Sequence, residues 1–116
     1  MVLFVDIGFS KTTLTVGQFG RKESKNVLTA IEHLSDRNLG GRDLDWKILA
    51  RINQVFVEEN DELEREPRND VKCCISMLSA IEKARTILSA DVEASITIDS
   101  LIEDLDLDYT LTRDEF

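Results

Sequence analysis

The chain has 116 residues, 42% of them hydrophobic and 32% charged, enough for one modest domain with a real core. A formal net charge of −9 would repel nucleic acid and anionic membrane, which removes both from the expected partners. No apolar stretch approaches the roughly 20 residues that span a bilayer, and the first residues lack the basic start and apolar run of a signal peptide.

The opening run, "VLFVDIGFSKTTLTVGQF", predicts two strands over 2–8 and 11–19, joined by a tight turn at Gly8, Phe9 and Ser10. Leu3, Phe4 and Val5 lead into Asp6, and an ionised carboxylate at the end of a buried strand needs a cation or N–H donors. A magnesium–phosphate group supplies the first. The turn amides of Gly8 and Phe9 supply the second, as in an ordinary hairpin, and the residues alone leave both open. Residues 20–25 are polar and break the pattern; residues 26–34, "NVLTAIEHL", predict a third antiparallel strand.

Gly40 and Gly41 then precede a helix expected over 43–59, with Asp43 as its cap and Leu44, Ile48, Ile52 and Val55 at helical spacing. Paired glycines let backbone amides approach a phosphate, and they also make a plain strand-to-helix turn. An acidic connection containing the only proline, Pro67, leads to a helix that starts at Asn69 or Asp70 and runs to about Ser89. At about 100° per residue, Cys73, Cys74, Met77, Leu78, Ala80, Ile81, Ala84, Ile87 and Leu88 fill one arc, the expected core face. Glu82, Thr86 and Ser89 fall together on the polar side, with Arg85 at its border. Such an edge can hydrogen-bond a base and a ribose, or be a solvated face with an ion pair.

Cys73 and Cys74 are neighbours that point about 100° apart on a helix and cannot easily pair. With His33 the only histidine, a zinc site is not expected; two reduced thiols in a reducing compartment, the cytoplasm, are. Ala94, Ile96 and Ile98 alternate as one face of a strand, "LDLDYTL" reads as another, and Thr112 and Glu115 have capping-box spacing. The chain stops one turn into that last element, so an excised fragment is expected. The fold class is α+β: antiparallel strands, two long helices and a closing strand pair.

Three segments, in order, resemble the 70-kDa heat-shock chaperones of the actin-like ATPase superfamily. "VLFVDIGFSKTTLTV" resembles their second phosphate motif, "NLGGRDLDWKI" their L-G-G-x-D-[FL]-D segment, and "AIEKARTILSADVEASITIDSL…TRDEF" the helix and strands that follow. The resemblance implies a piece of lobe II of the nucleotide-binding domain, with 1–35 in the lower subdomain and 36–116 in the upper. By it, Asp6 matches the metal-and-phosphate aspartate, acting on magnesium indirectly and on the catalytic side. Gly8, Gly40 and Gly41 match glycines near the phosphates, and Glu82, Arg85 and Ser89 match adenosine-contacting positions.

The resemblance also implies ATP or ADP with magnesium in the intact protein, none held tightly by this stretch alone. It implies a 70-kDa chaperone or exchange-factor partner, and unfolded clients bound through a peptide-binding domain. The departures lie in the turn. The family's G-G-G-T is here Gly8-Phe9-Ser10-Lys11, its second acid falls at Thr13, and its adenine-stacking arginine falls at Thr86. The V-D-I-G-x-S form resembles the divergent 110-kDa branch, which acts mainly in nucleotide exchange. The expectation is therefore an ATP-binding chaperone domain of exchange-factor kind with an eroded hydrolytic site. An ordinary hydrolysing chaperone and a protein-binding module without nucleotide are the alternatives.

Overall fold

In a computed structural model describing residues 1–116, the chain divides into two units, Met1–Leu44 and Asp45–Phe116. The first is an antiparallel sheet in the order β1 (Val2–Ile7), β2 (Thr12–Lys22), β3 (Lys25–Asp36). The expected break at 20–25 is instead the end of a long hairpin: Gly20 pairs with Val27 and Arg21 with Asn26. The reversal is confined to Glu23 and Ser24, both left-handed at φ 49° and 66°. Two successive left-handed residues match the twist of the flanking strands, so the polar residues around them stay in the ladder. A bulge opposite Val16 and Gly17 leaves Ile31 of β3 unpaired and bends that strand. A Cβ on Gly17 would lie 2.9 Å from the Leu28 side chain and 3.1 Å from the Phe4 ring, so glycine here lets both cross the strand. Phe4 in turn meets Phe19 edge-on, centroids 6.4 Å apart.

The second unit holds most of α1 (Gly41–Glu59), a 3₁₀ turn at Pro67–Asn69, α2 (Val71–Leu88), β4 (Glu93–Ile102) and β5 (Leu105–Thr112). β4 and β5 are an antiparallel hairpin closed by Glu103 and Asp104, again both left-handed. The mixed strands, antiparallel pairs and two helices are the α+β class that the sequence leads one to expect.

The core gathers Leu49, Ile52 and Phe56 from α1, Cys73, Met77, Ile81, Ala84 and Leu88 from α2, and Ala94, Ile96, Leu107 and Leu111 from the hairpin. On α2 Cys73, Met77, Ile81, Ala84 and Leu88 of the expected arc are buried, Cys74, Leu78 and Ala80 are half-buried, and Ile87 is exposed. On α1 the buried face is Asp45, Leu49, Ile52, Asn53 and Phe56, rotated from the expected one; Leu44 is exposed and Val55 only half-buried.

Two polar residues sit on that buried face because each has a partner. Asn53 donates to Glu66 Oε2 at 3.2 Å and accepts the Arg68 N–H at 3.0 Å, tying the acidic connection to α1. Asp45 faces Arg85. Asp70 caps α2, accepting the N–H groups of Lys72 (2.8 Å) and Cys73 (3.1 Å). Arg113 closes the other end by donating Nε and Nη2 to Leu88 O at 3.1 and 2.8 Å. Both cysteines are free thiols; Cys73 is buried, which pushes its thiol pKa up, and it donates to Leu101 O.

Ile81 is 0% exposed and Ile75 is 63% exposed. Ile81→Ala is expected to cost about 2–5 kcal/mol in a urea unfolding curve, and Ile75→Ala within about 0.5 kcal/mol. Asp70 supplies a pH test. The Cys73 N–H, chiefly, holds its carboxyl below the ordinary 3.8. The stabilisation is therefore complete above 3.8 and lost as pH falls through the folded value. Asp70→Ala should lower stability at pH 7, and the gap to the parent should close in acid.

Candidate functional site

In the first unit, β1 delivers Asp6 opposite Thr13 and ends one residue later. The chain then turns, with the Gly8 N–H donating to Lys11 O at 2.9 Å. The first amides of α1 have no partner within the helix. Here the Gly41 N–H donates to Gly8 O at 3.0 Å and the Arg42 N–H to Phe9 O at 2.8 Å. α1 begins two residues before the expected start, so Asp43 sits inside its first turn and not at the cap position; its Oδ2 reaches back to accept the Gly40 N–H at 2.9 Å, and the Thr12 hydroxyl donates to Leu39 O at 2.5 Å. Gly8 and the pair Gly40 and Gly41, far apart in sequence, thus meet in one pair of docked turns. A Cβ on Gly40 would stand 2.5 Å from Phe9 O and 2.8 Å from Lys11 N, so only glycine permits this approach.

Beside the docked turns, Ser10, Lys11, Arg37 and Arg42 line an open cavity of about 350 Å³. Arg42 Nη2 lies 3.9 Å from Asp43 Oδ1, a long and solvated contact, while Lys11 and Arg37 join no ion pair. The charge is unevenly divided: the first unit has six Lys and Arg against five Asp and Glu, the second eight against eighteen. Arg37 and Arg42 went unrecognised in the sequence, where the one available signal was that they flank the glycine pair.

In the second unit, α2 carries Glu82 and Arg85, and Ser89 is its C-cap. Glu82 and Ser89 are exposed and Arg85 is half-buried. The Ser89 hydroxyl donates to Thr86 O, and the Thr86 hydroxyl to Glu82 O at 3.0 Å. Arg85 Nε lies 3.2 Å from Asp45 Oδ1, yet the N–H is not aimed at the oxygen, so both buried atoms lack a hydrogen bond. Burial raises the Asp45 carboxyl pKa, the Arg85 charge lowers it, and Glu82 raises it a little further. Asp45 also escaped the sequence reading; its signal was the second acid of Asp43-Leu44-Asp45. No group of three or more His, Cys, Asp or Glu is placed to hold a metal ion directly.

The family model described as Hsp70 protein matches residues 1–116. The chain is 30% identical over 115 residues to heat shock 70 kDa protein 16 of Arabidopsis thaliana, covering 99% of this chain and 14% of that protein. It is 33% identical over 115 residues to heat shock protein hsp88 of Neurospora crassa, covering 99% and 15%. With a heat shock protein homolog of Eremothecium gossypii the identity is 35% over 115 residues, covering 98% and 15%. The chain therefore spans about one seventh of the length of these relatives.

The docked turns make a sharp prediction. Gly40→Ala should speed hydrogen exchange at the Gly41 and Arg42 amides and cost about 1–3 kcal/mol. Gly20→Ala, where an added Cβ meets nothing within 4 Å, should leave both amides protected.

Proposed function

This chain belongs to the Hsp70 family, and we propose that it forms part of lobe II of a nucleotide-binding domain in a chaperone of the nucleotide-exchange kind. The observation that carries the reading is the turn after β1. It keeps Asp6 and Gly8 but places Phe9, Ser10, Lys11 and Thr13 where hydrolysing members hold glycines, a threonine and a second acid. A side chain at residues 9 and 10 narrows the approach of backbone amides to a terminal phosphate. A missing carboxylate leaves the metal and the attacking water less constrained. Such a site binds ATP to set a conformation and turns it over slowly.

A phosphate group with magnesium fits the residues of the first unit in kind: cations beside the Gly8 turn and an exposed carboxylate at Asp6. Bound magnesium would shield phosphate charge, and Asp6 would orient its water shell. Residues 1–35 belong on this reading to the lower subdomain and 36–116 to the upper, with Glu82, Arg85 and Ser89 on the adenosine side. The partner is a 70-kDa chaperone whose nucleotide is exchanged. Unfolded clients bind elsewhere in the intact protein, and the free thiols of Cys73 and Cys74 support a cytoplasmic setting.

The test uses the intact protein that carries this stretch. It should bind ATP, hydrolyse it no faster than roughly one tenth of the rate of an ordinary 70-kDa chaperone (about 1.4 kcal/mol of extra barrier), and speed the release of fluorescent ADP from such a chaperone. Ordinary hydrolysis would return it to the hydrolysing members. Absence of both ATP binding and ADP release would leave a protein-binding module.

A further inference from the structure

We propose that Asp45 is a positioning residue: from α1 it holds the Arg85 guanidinium in one orientation on the edge of α2 that takes the nucleoside. The inference rests on the adenosine reading above and gives a role to a residue which that reading leaves unused.

Three observations carry it. The first is placement. Asp45 is 6% exposed, one turn into α1, and its Oδ1 stands 3.2 Å from Arg85 Nε on α2. Both lie in the second unit, so the contact belongs to one folded body. Two charged groups act on the carboxylate, Arg85 and Glu82, and α2 supplies both.

The second is cost. Neither Asp45 Oδ1 nor Arg85 Nε completes a hydrogen bond, although both are buried. Burial disfavours the carboxylate more than the guanidinium favours it. A neutral side chain would fill this position at less expense to folding, so the charge serves something other than packing.

The third is the state of the other donors on that edge. The Ser89 hydroxyl is spent on Thr86 O and the Thr86 hydroxyl on Glu82 O. The Glu82 carboxylate can only accept. The donor left for a ligand is the Arg85 guanidinium, and recognition depends on where that fork points. An arginine side chain free to sample many rotamers loses that freedom on binding; one held from behind has lost it already. The Nε–Oδ1 separation is a hydrogen-bond distance and only the angle is wrong. A small rotation aligns Nε–H with Asp45 and turns the terminal nitrogens toward the ligand. The buried carboxylate therefore completes its bond in the state that binds.

The experiment is a double-mutant cycle on the intact protein that carries this stretch, with ATP and ADP affinities measured by calorimetry. Arg85→Met should weaken both nucleotides about tenfold, and equally, because the phosphates are not involved. Asp45→Asn should weaken both about threefold or more. The double variant should bind no more weakly than Arg85→Met alone, since Asp45 acts only through Arg85. Asp45→Leu, an apolar side chain of similar size, should reproduce the loss without lowering the urea midpoint, which separates positioning from folding. Ile81→Val, a packing change in the same core, should have the same effect on affinity with or without Arg85. The proposal is overturned if Asp45→Asn keeps the parent affinity, if its loss adds in full to that of Arg85→Met, or if Arg85→Met is without effect. In each of these the parent still binds ATP and the nucleotide reading stands. A parent that binds neither nucleotide overturns that reading and this inference with it.

Discussion

Met77 and Ile81, wholly buried at the middle of α2, set the rotation of that helix, and the surface of the second unit follows from it. With Cys73, Ala84 and Leu88 they press one stripe into the core shared with Ala94, Ile96, Leu107 and Leu111. A helix has one rotation that buries such a stripe. Glu82 and Ser89 are thereby turned to solvent, and Arg85 is left at the border, within reach of Asp45. The ends are held by different chemistry: a carboxylate from Asp70 on the first amides of α2 and a guanidinium from Arg113 on Leu88 O. Each matches the sign of the helix dipole at its end.

The first unit rests on a contact of another kind. Gly40 lies against Phe9 O so closely that no side chain fits between them, and two hydrogen bonds cross the same junction. The unpaired amides at the start of α1 are thus satisfied by a turn and not by solvent. Lys11 and Arg42 follow directly from the two turns, and Arg37 from the loop that Thr12 binds through Leu39 O. A local excess of positive charge is the outcome, in a protein whose net charge is strongly negative.

Asp45 and Arg85 show what a buried ion pair costs. Removal from water disfavours the carboxylate more than the nearby guanidinium favours it, so the pKa of Asp45 rises on balance. A raised carboxylate binds its proton more readily folded than unfolded. Its ionisation therefore opposes folding as pH climbs through the ordinary 3.8 and beyond. Partial misalignment of the pair adds to this, because neither Asp45 Oδ1 nor Arg85 Nε completes a hydrogen bond. The pair orients Arg85 more than it stabilises the unit.

Periodicity and turn chemistry were enough to read the α+β class, most of the core arc of α2 and its start next to Asn69 and Asp70, and the alternation of Ala94 and Ile96. These are local matters, governed by residues within a few positions of one another. The phosphate-turn, glycine-pair and helix–strand motifs carried the family, because side-chain types at fixed spacing are legible along the chain before any contact is known. Three features needed tertiary structure. The buried face of α1 is turned toward Asp45 and Asn53, since partners at Arg85, Glu66 and Arg68 outweigh the apolar spacing of Leu44 and Val55. The hairpin passes straight through Gly20, because cross-strand pairing with Val27 outweighs a weak local propensity. And Lys11, Arg37 and Arg42 line one cavity only when two turns far apart in sequence dock across Gly40, a coincidence in space that no one-dimensional pattern encodes.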